Sequence, residues 1–358
     1  MIVALVVLAQ AQAQPQPLQV APATLSARAN QPQACAAPDG TVYLCYGVEG
    51  QIYVQSSRDQ GRTFSDPVAV VAAPMKMALG HRRGPRIAAN KDRVLVSAVY
   101  GAEGGGKDGD LLAWRSPDKG KTWDGPEEVS DEPGSAREGL HAMGAGLDNA
   151  FVAVWLDLRS GKTVVMGSFS STGGRTWGKN KIVYQAPEGS VCECCHPSLG
   201  FGPFGEVGAM FRNSVRGDGD MWLATSPDGG RSWATSTKLG TQTWTVAQCP
   251  MDGGAFTFNA AGDPLSVWKS NSMLYLGRGM GAVELAQGRD PWIAQTKTGA
   301  VCVWEVGTSV YVQTGTDVSS RRRLTDSGSE PVVVALKEGA LVTWRGLGPS
   351  GGIYVVRL

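Results

Sequence analysis

Histidine, net charge and long apolar runs are all scarce in this sequence. The low net charge and the lack of long apolar runs each exclude a class of function. The 358 residues include only three histidines, and 33 basic residues nearly balance 32 acidic ones. Because binding to a polyanion such as DNA needs a concentrated basic face, no nucleic-acid partner is expected. No segment has the roughly 20 consecutive apolar residues that a transmembrane helix requires, so no membrane span is predicted.

The N-terminal residues carry the pattern of an export signal. Residues 1–9 form a short apolar run, and residues rich in Ala and Gln follow it. This order is typical of a secretory signal peptide with a small-residue cleavage site. We therefore predict a signal peptide over residues 1–13, a linker over residues 14–17 and a single folded domain over residues 18–358. The mature protein is expected in the periplasm or outside the cell, where disulfides are permitted.

A motif with the pattern S-x-D-x-G-x-[ST]-[WF] occurs four times, at intervals of 59, 54 and 56 residues. The four copies begin at Ser57, Ser116, Ser170 and Ser226. In such a segment the aspartate caps turn amides, the glycine adopts a positive φ and the aromatic side chain packs against neighbouring strands. Thr172 replaces the aspartate in the third copy. We assign a structural role to the three aspartates that remain, Asp59, Asp118 and Asp228.

A second repeated feature is an apolar strand that ends in an aromatic residue, and it occurs seven times. The seven aromatic residues are Tyr46, Tyr100, Trp155, Phe211, Trp268, Trp304 and Trp344. Each is interpreted as marking the second strand of a four-stranded blade, which predicts an all-β, seven-bladed β-propeller. The last blade has only three strands of its own. Residues 18–25 are predicted to supply the fourth strand and close the ring, which removes exposed sheet edges.

The four repeated segments resemble the Asp-boxes, or BNR repeats, of sialidases and related propellers. The resemblance implies a propeller architecture for nearly the whole mature chain, although the motifs themselves cover only four short segments. Sialidases have six blades, so a six-bladed ring is the alternative to the seven blades counted here. An Asp-box is a structural element, and it does not by itself indicate catalysis.

The cysteines and histidines concentrate at one place in the predicted propeller. The innermost strand of every blade begins on the same face, so the first residues of these strands surround the mouth of the central channel. The residues at these positions are Gln31, Gly84, His141, His196, Cys249, Asp290 and Glu330. The loops beside them add His81, Arg82, Arg83, Cys192, Cys194 and Cys195. All three histidines and four of the seven cysteines therefore lie at or near the mouth.

Thiolate and imidazole groups brought to one place form a natural metal site. We predict that a metal ion, copper first and zinc second, is bound there in a metal-handling or redox function. The predicted ligands are Cys192, Cys194, Cys195, His196, His141 and Cys249. The remaining cysteines, Cys35, Cys45 and Cys302, lie in strand segments and are interpreted as small buried apolar residues.

Two other interpretations of the same cysteines stay open. Residues 192–196 contain the C-x-x-C-H pattern of c-type haem attachment, in which Cys192 and Cys195 bind the haem and His196 is an axial ligand. Alternatively, Cys249 forms a disulfide with one of the three clustered cysteines. That second case favours a non-catalytic propeller that presents its loops to protein partners. Independently of these alternatives, we predict a monomer with a protein or small-molecule partner at the channel mouth.

The resemblance to sialidases implies a further alternative, a glycosidase that acts on acidic sugars. Sialidases hold the substrate carboxylate with three arginines and use a Tyr/Glu nucleophilic pair and an aspartate acid/base. Residues 84–87 (Gly-Pro-Arg-Ile) are similar to the family's Arg-Ile-Pro segment, with the proline on the other side. Under this alternative the site residues are Arg83, Arg86, Asp290 and Glu330. No Tyr/Glu pair is evident at the mouth.

Overall fold

A computed structural model describes residues 16–234, 236–348 and 351–358. These residues form seven antiparallel sheets arranged as the blades of a propeller. The prediction of seven four-stranded blades is confirmed, and the six-bladed alternative does not hold. The predicted signal peptide, residues 1–13, and the first two linker residues lie outside the described residues. No helix within the described ranges is long and apolar enough to cross a membrane.

Blades 1 to 7 follow the order of the chain, and each runs from an innermost strand at the channel to an outer strand. The innermost strands are Asn30–Ala36, Arg86–Ala89, His141–Ala145, Ser198–Phe201, Ala255–Phe258, Arg289–Thr296 and Gly328–Ala335. The second strands are Val42–Val48, Val94–Gly101, Phe151–Asp157, Val207–Ser214, Pro264–Ser270, Gly299–Val306 and Ala340–Gly346. The third strands are Gln51–Ser57, Asp110–Ser116, Val164–Ser170, Met221–Ser226, Met273–Arg278, Ser309–Thr314 and Ile353–Arg357. The outer strands are Val68–Ala69, Asp124–Glu128, Lys181–Tyr184, Ser236–Lys238, Gly281–Gln287, Arg322–Thr325 and, for blade 7, Leu18–Gln19.

Few elements lie outside this pattern. Two short strands, Lys76–Met77 and Ser190–Val191, pair with the second strands of blades 2 and 4. The helical segments are one short α-helix, Ala23–Ser26, and one 3₁₀ turn, Val318–Ser320.

The second strands form the core, because a blade on each side covers both of their faces. Strands buried on both faces are continuous apolar runs rather than alternating ones, and the second strands of blades 1, 2 and 3 are buried along their whole length. All seven aromatic markers are at most 3% exposed. Complete burial of one large apolar side chain contributes roughly 1.5–3 kcal/mol, so each of these seven residues stabilises its own blade by about that amount.

The ring closes through the N-terminal segment. Leu18 and Gln19 pair with Val355 and Tyr354 of the last blade, and Val20 N donates to the Ile353 carbonyl over 2.8 Å. The closing strand is shorter than the predicted 18–25. The chain leaves the sheet because the Pro22 carbonyl accepts from residues 25 and 26 and so starts the short helix.

The Asp-boxes occupy the turns between third and outer strands. Asp59 Oδ1 accepts from the amides of Arg62 and Thr63, each over 2.9 Å, and Oδ2 accepts from the Thr63 hydroxyl over 2.6 Å. Asp118 and Asp228 accept from the same positions of their own turns. In the third box Thr172 Oγ1 accepts from one amide over 2.9 Å.

The glycine of each box lies against the second strand of the preceding blade. Gly230 of blade 4 has a φ of +93°, and a Cβ there would lie 2.7 Å from Val152 of blade 3. Gly61 of blade 1 has the same relation to Leu341 of blade 7, at 2.6 Å. Glycine therefore supplies both the left-handed turn and the space for the neighbouring blade.

Candidate functional site

Four cysteines meet on the face where the innermost strands begin. Cys192, Cys194 and Cys195 lie in the loop before the inner strand of blade 4, and Cys249 lies in the loop before that of blade 5. Their Sγ atoms all lie within 4.8 Å of one another. Cys192 Sγ is 3.2 Å from Cys195 Sγ and 3.5 Å from Cys194 Sγ. Cys194 and Cys249 are paired as a disulfide, with their Cα atoms 6.5 Å apart. We call these residues the four-sulfur cluster.

Exposure and pKa differ across the cluster. Cys249 is exposed, Cys192 and Cys194 are half-buried, and Cys195 is fully buried. A hydrogen bond from Cys195 and nearby backbone amides lower the pKa of Cys192 to about 7, with a contribution from the charge of Arg212. Burial raises the pKa of Cys195 well above its ordinary value. Of the two free thiols, Cys192 therefore ionises before Cys195. Cys192 also lines a pocket of about 310 Å³ between the two loops.

Arg212 places a buried positive charge beside the cluster. Its side chain is only 1% exposed, and its guanidinium donates to the carbonyls of Asp252, Lys269 and Gly219 over 2.5–3.1 Å. The Cys192 amide donates to the carbonyl of Arg212 over 2.9 Å. The guanidinium forms no ion pair with a carboxylate among the described residues, whereas buried charges in proteins are normally paired.

The two histidines that the sequence placed in the metal site do not join the four sulfurs. His196 is 1% exposed and stacks on Trp292, with ring centroids 5.9 Å apart, and neither ring nitrogen has a hydrogen-bond partner within the part of the chain that the structure describes. His141 is fully buried, with Nε2 3.0 Å from Ser97 Oγ. Burial lowers the pKa of both histidines well below the ordinary value. The structure thus brings together four of the six predicted ligands.

An ion pair crosses the channel mouth. Arg82, in the loop before blade 2, donates from Nε to Asp290 Oδ1 of blade 6 over 3.0 Å, and both side chains are nearly fully buried. His81 Nε2 lies 3.1 Å from the same oxygen, and this hydrogen bond raises the pKa of His81. Burial alone would raise the pKa of Asp290, but the charges of Arg82 and His81 lower it below its ordinary value. The Arg82 guanidinium also lies 5.3 Å from the centroid of the Trp292 ring.

Further carboxylates at the mouth accept hydrogen bonds from backbone amides of the next blade. Asp252 accepts from the Asp290 amide over 2.8 Å and Glu305 from the Glu330 amide over 2.5 Å. Glu330 accepts from the Gln31 amide over 2.9 Å. The three amides belong to residues with φ between 53° and 59° that precede a proline. Burial raises the pKa of all three accepting carboxyl groups.

Asp252, Glu305 and Arg212 were not identified from the sequence. Asp252 lies three positions after Cys249, and Glu305 directly follows the aromatic marker Trp304. Arg212 likewise directly follows the aromatic marker Phe211. Proximity to Cys249 for Asp252, and the position directly after an aromatic marker for Glu305 and Arg212, were the signals that could have found them.

The residues of the glycosidase alternative are engaged within the protein. Arg86 is 5% exposed and donates only to backbone carbonyls, including that of His141 over 3.1 Å. Arg83 donates to the carbonyl of Glu138 over 2.6 Å. Asp290 and Glu330 take part in the contacts described above. Behind them the central channel encloses about 420 Å³ and is lined largely by alanine, glycine and other apolar residues of the inner strands. Half-buried Cys35 is one of the lining residues.

Comparison with known proteins supports the architecture. Residues 88–260 match the family model described as a BNR repeat-like domain. No curated protein sequence matches the chain.

Three solved structures illustrate the likeness in fold. The first is a protein of unknown function from Dyadobacter fermentans, with 16% identity, a TM-score of 0.54 and coverage of 96% of this chain and 98% of that one. The second is the α-L-arabinanase of Penicillium chrysogenum with arabinobiose, with 12% identity, a TM-score of 0.55 and coverage of 97% and 98%. The third is the NanB sialidase of Streptococcus pneumoniae, with 10% identity, a TM-score of 0.57 and coverage of 95% and 70%. At these identities the likeness shows the fold alone.

Proposed function

We propose that this sialidase-like β-propeller is a metal-binding protein whose four-sulfur cluster holds one thiophilic ion. The observation that carries the proposal is the approach of four cysteine sulfurs within 4.8 Å of one another, from two loops of adjacent blades. Four thiolates are a usual ligand set of tetrahedral zinc, and thiolates also select Cu⁺. We place zinc before copper because four cysteines complete a tetrahedral zinc site without any further ligand.

Arg212 supports the proposal through charge. Four thiolates around Zn²⁺ leave two net negative charges, and a buried negative charge requires compensation. The guanidinium of Arg212 has no carboxylate partner among the described residues and lies beside Cys192, so it supplies part of that compensation. Sulfurs in a disulfide are not thiolate ligands. The metal-bound form is therefore the form in which Cys194 and Cys249 are reduced.

The experiment is metal analysis of protein purified in the presence of a reductant. We expect one zinc or copper ion per chain by elemental mass spectrometry. Cys192→Ser and Cys249→Ser are expected to lose the ion, because each removes one of four ligands. Cys302→Ser is the matched control, since Cys302 is a buried cysteine in the second strand of blade 6. Metal-free wild-type protein, or an ion retained in both cluster variants, would contradict the proposal.

The alternatives from the sequence are less well supported. A glycosidase needs available carboxylates and arginines, whereas Asp290 and Glu330 bind groups of the protein itself at the mouth. A screen of chromogenic glycosides of acidic sugars, with Asp290→Asn as the inactive variant, tests that alternative. A visible spectrum with a Soret band would instead indicate haem on Cys192, Cys195 and His196.

We also propose that the protein is exported, to a compartment that permits the Cys194–Cys249 disulfide of the metal-free form. It rests on the apolar segment over residues 1–9. N-terminal sequencing of the protein recovered from the periplasm or the medium tests it, and a mature chain that starts near residue 14 is the expected result.

A further inference from the structure

We propose that the four-sulfur cluster is also a thiol–disulfide relay, in which Cys192 moves the disulfide from the exposed pair Cys194–Cys249 to the inner pair Cys192–Cys195. The proposal rests on the same cluster as the proposed function and adds an activity and a substrate class. The class is a disulfide-bonded molecule that reaches the exposed Cys249.

Cys192 lies close both to the Cys194–Cys249 disulfide and to the thiol of Cys195. Its Sγ is 3.5 Å from Cys194 Sγ, which belongs to the disulfide, and 3.2 Å from Cys195 Sγ, which is a free thiol. Thiol–disulfide exchange proceeds by attack of one sulfur on another through a mixed disulfide. The Cys192 sulfur is therefore in van der Waals contact with a sulfur of each pair, the position from which exchange with either can begin.

The cysteines differ in solvent exposure, so an external molecule can react with the cluster only at its outer end. Cys249 is exposed, Cys192 and Cys194 are half-buried, and Cys195 is fully buried. A molecule from solvent therefore meets Cys249 first and has no access to Cys195. The pocket of about 310 Å³ beside the cluster is lined by Cys192, Cys194 and Cys249 but not by Cys195. Cys195 can therefore exchange only with another sulfur of the protein. Cys192, whose Sγ is 3.2 Å away, is in position to do so.

Two internal steps move the disulfide, and they need no external oxidant. In the first, the Cys192 thiolate attacks Cys194 Sγ. The Cys192–Cys194 bond forms, the Cys194–Cys249 bond breaks, and Cys249 leaves as a thiolate that takes up the proton lost by Cys192. In the second, the Cys195 thiolate attacks Cys192 Sγ. The Cys192–Cys195 bond forms, the Cys192–Cys194 bond breaks, and Cys194 takes up the proton lost by Cys195.

The relay leaves two thiols, Cys194 and Cys249, facing the pocket. These thiols reduce one external disulfide: Cys249 attacks it and releases the first thiol, and Cys194 then attacks the Cys249 sulfur and releases the second. The Cys194–Cys249 disulfide forms again, and the two electrons have passed to the external molecule. The cluster then holds two disulfides. An external dithiol reduces Cys194–Cys249 by attack on Cys249 and is itself oxidised to a disulfide. The two internal steps then run in reverse, which returns the remaining disulfide to Cys194–Cys249 and leaves Cys192 and Cys195 as thiols.

The test follows the position of the disulfide in metal-free full-length protein. Protein that holds one disulfide is treated with a chelator, quenched with acid at intervals, alkylated and digested, and its disulfide-linked peptides are identified by mass spectrometry. In the wild type we expect a Cys192–Cys195 disulfide to appear together with alkylated Cys249. In Cys192→Ser this species is lost, and the disulfide stays at Cys194–Cys249. In Cys195→Ser the exchange stops at Cys192–Cys194.

Circular dichroism and the thermal midpoint of each variant establish that it is folded. Absence of Cys195 from every disulfide in the folded wild type would overturn the relay. The readout uses no metal, so its result is separate from that of the proposed function. Zinc binding with a disulfide that never moves would overturn the relay alone, whereas a moving disulfide in a protein that binds no metal would overturn the proposed function alone.

Discussion

Arg212 contributes both to the structure of the propeller around the four-sulfur cluster and to the chemistry of the cluster itself. Its guanidinium donates to three backbone carbonyls, one of blade 4 and two of blade 5, and lies 5.1 Å from the centroid of the Trp244 ring. The same group brings a positive charge to Cys192 and lowers its pKa. It therefore both positions the two cysteine loops and favours their thiolate form.

We predict that Arg212→Met lowers the zinc affinity of the reduced protein by about 10–100-fold, the usual effect of removing a group that supports metal ligands. The measurement is a competition titration against a chromogenic chelator. Arg231→Met is the matched control, because Arg231 also lies over an aromatic ring, 4.2 Å from the centroid of Phe169, but in the Asp-box turn of blade 4. An unchanged affinity in folded Arg212→Met would show that the charge plays no part in metal binding.

The sequence located the cysteines correctly near one another but did not separate them from the histidines. Cys195 and His196 are adjacent in the chain, yet Cys195 faces the other sulfurs while His196 faces Trp292. Counting residues from a strand places both at the mouth and says nothing about which way each side chain points. Arg212 was missed for a similar reason, because its acceptors are carbonyls up to 57 positions away in the chain.

At the scale of the element, the Asp-box turn joins two blades. Its aspartate holds the turn, and its glycine lets the turn lie on the second strand of the preceding blade. The motif could be read from the sequence because its turn needs fixed residue types at fixed spacing. The contact with the preceding blade could not, since Gly230 and Val152 are far apart in the chain.

We predict that Gly230→Ala lowers the free energy of unfolding by about 2–5 kcal/mol. A left-handed conformation costs a non-glycine residue about 1–2 kcal/mol, and overpacking against a core side chain costs about 1–3 kcal/mol more. Gly105→Ala is the control: Gly105 has a φ of +64° but no atom within 4 Å of the added Cβ, so only the conformational cost of about 1–2 kcal/mol applies. Urea denaturation measures both, and equal losses would mean that the contact with blade 3 is unimportant.

The second strands were the most predictable elements. Burial on both faces produces continuous apolar runs with an aromatic end, and seven such runs gave the number of blades without reference to the Asp-boxes, which blades 5 to 7 lack. The outer strands were not predictable in detail. Several are only two to four residues long, and so short a segment carries no clear alternation of apolar and polar residues.

At the scale of the whole molecule, two residues complete the ring. Leu18 and Gln19 cover the strand Ile353–Arg357, which would otherwise present unpaired amides and carbonyls at the edge of blade 7. Exposed edges of this kind pair with other chains. The sequence predicted this closure because the last blade lacked a strand, whereas the point at which the chain leaves the sheet depends on the local turn at Pro22.

We predict that a chain starting at Val20 has a lower thermal midpoint and forms dimers or larger assemblies, because the edge of blade 7 is then free. A chain starting at residue 16, which keeps the closing strand, is the control. Differential scanning calorimetry and size-exclusion chromatography at several protein concentrations measure the two effects. If both chains remain monomeric with the same midpoint, the closing strand does not hold the ring.

Closure by the N-terminal strand also fixes an order of events while the protein is being made. A chain leaves the ribosome N-terminus first, at about 5–20 residues per second, so Leu18 and Gln19 emerge long before their partners in Ile353–Arg357. Cys249 precedes blades 6 and 7 in the chain, so all four cysteines have emerged before the partners of the closing strand exist. A metal ion or a disulfide acquired at that stage would join blades 4 and 5 before the ring closes.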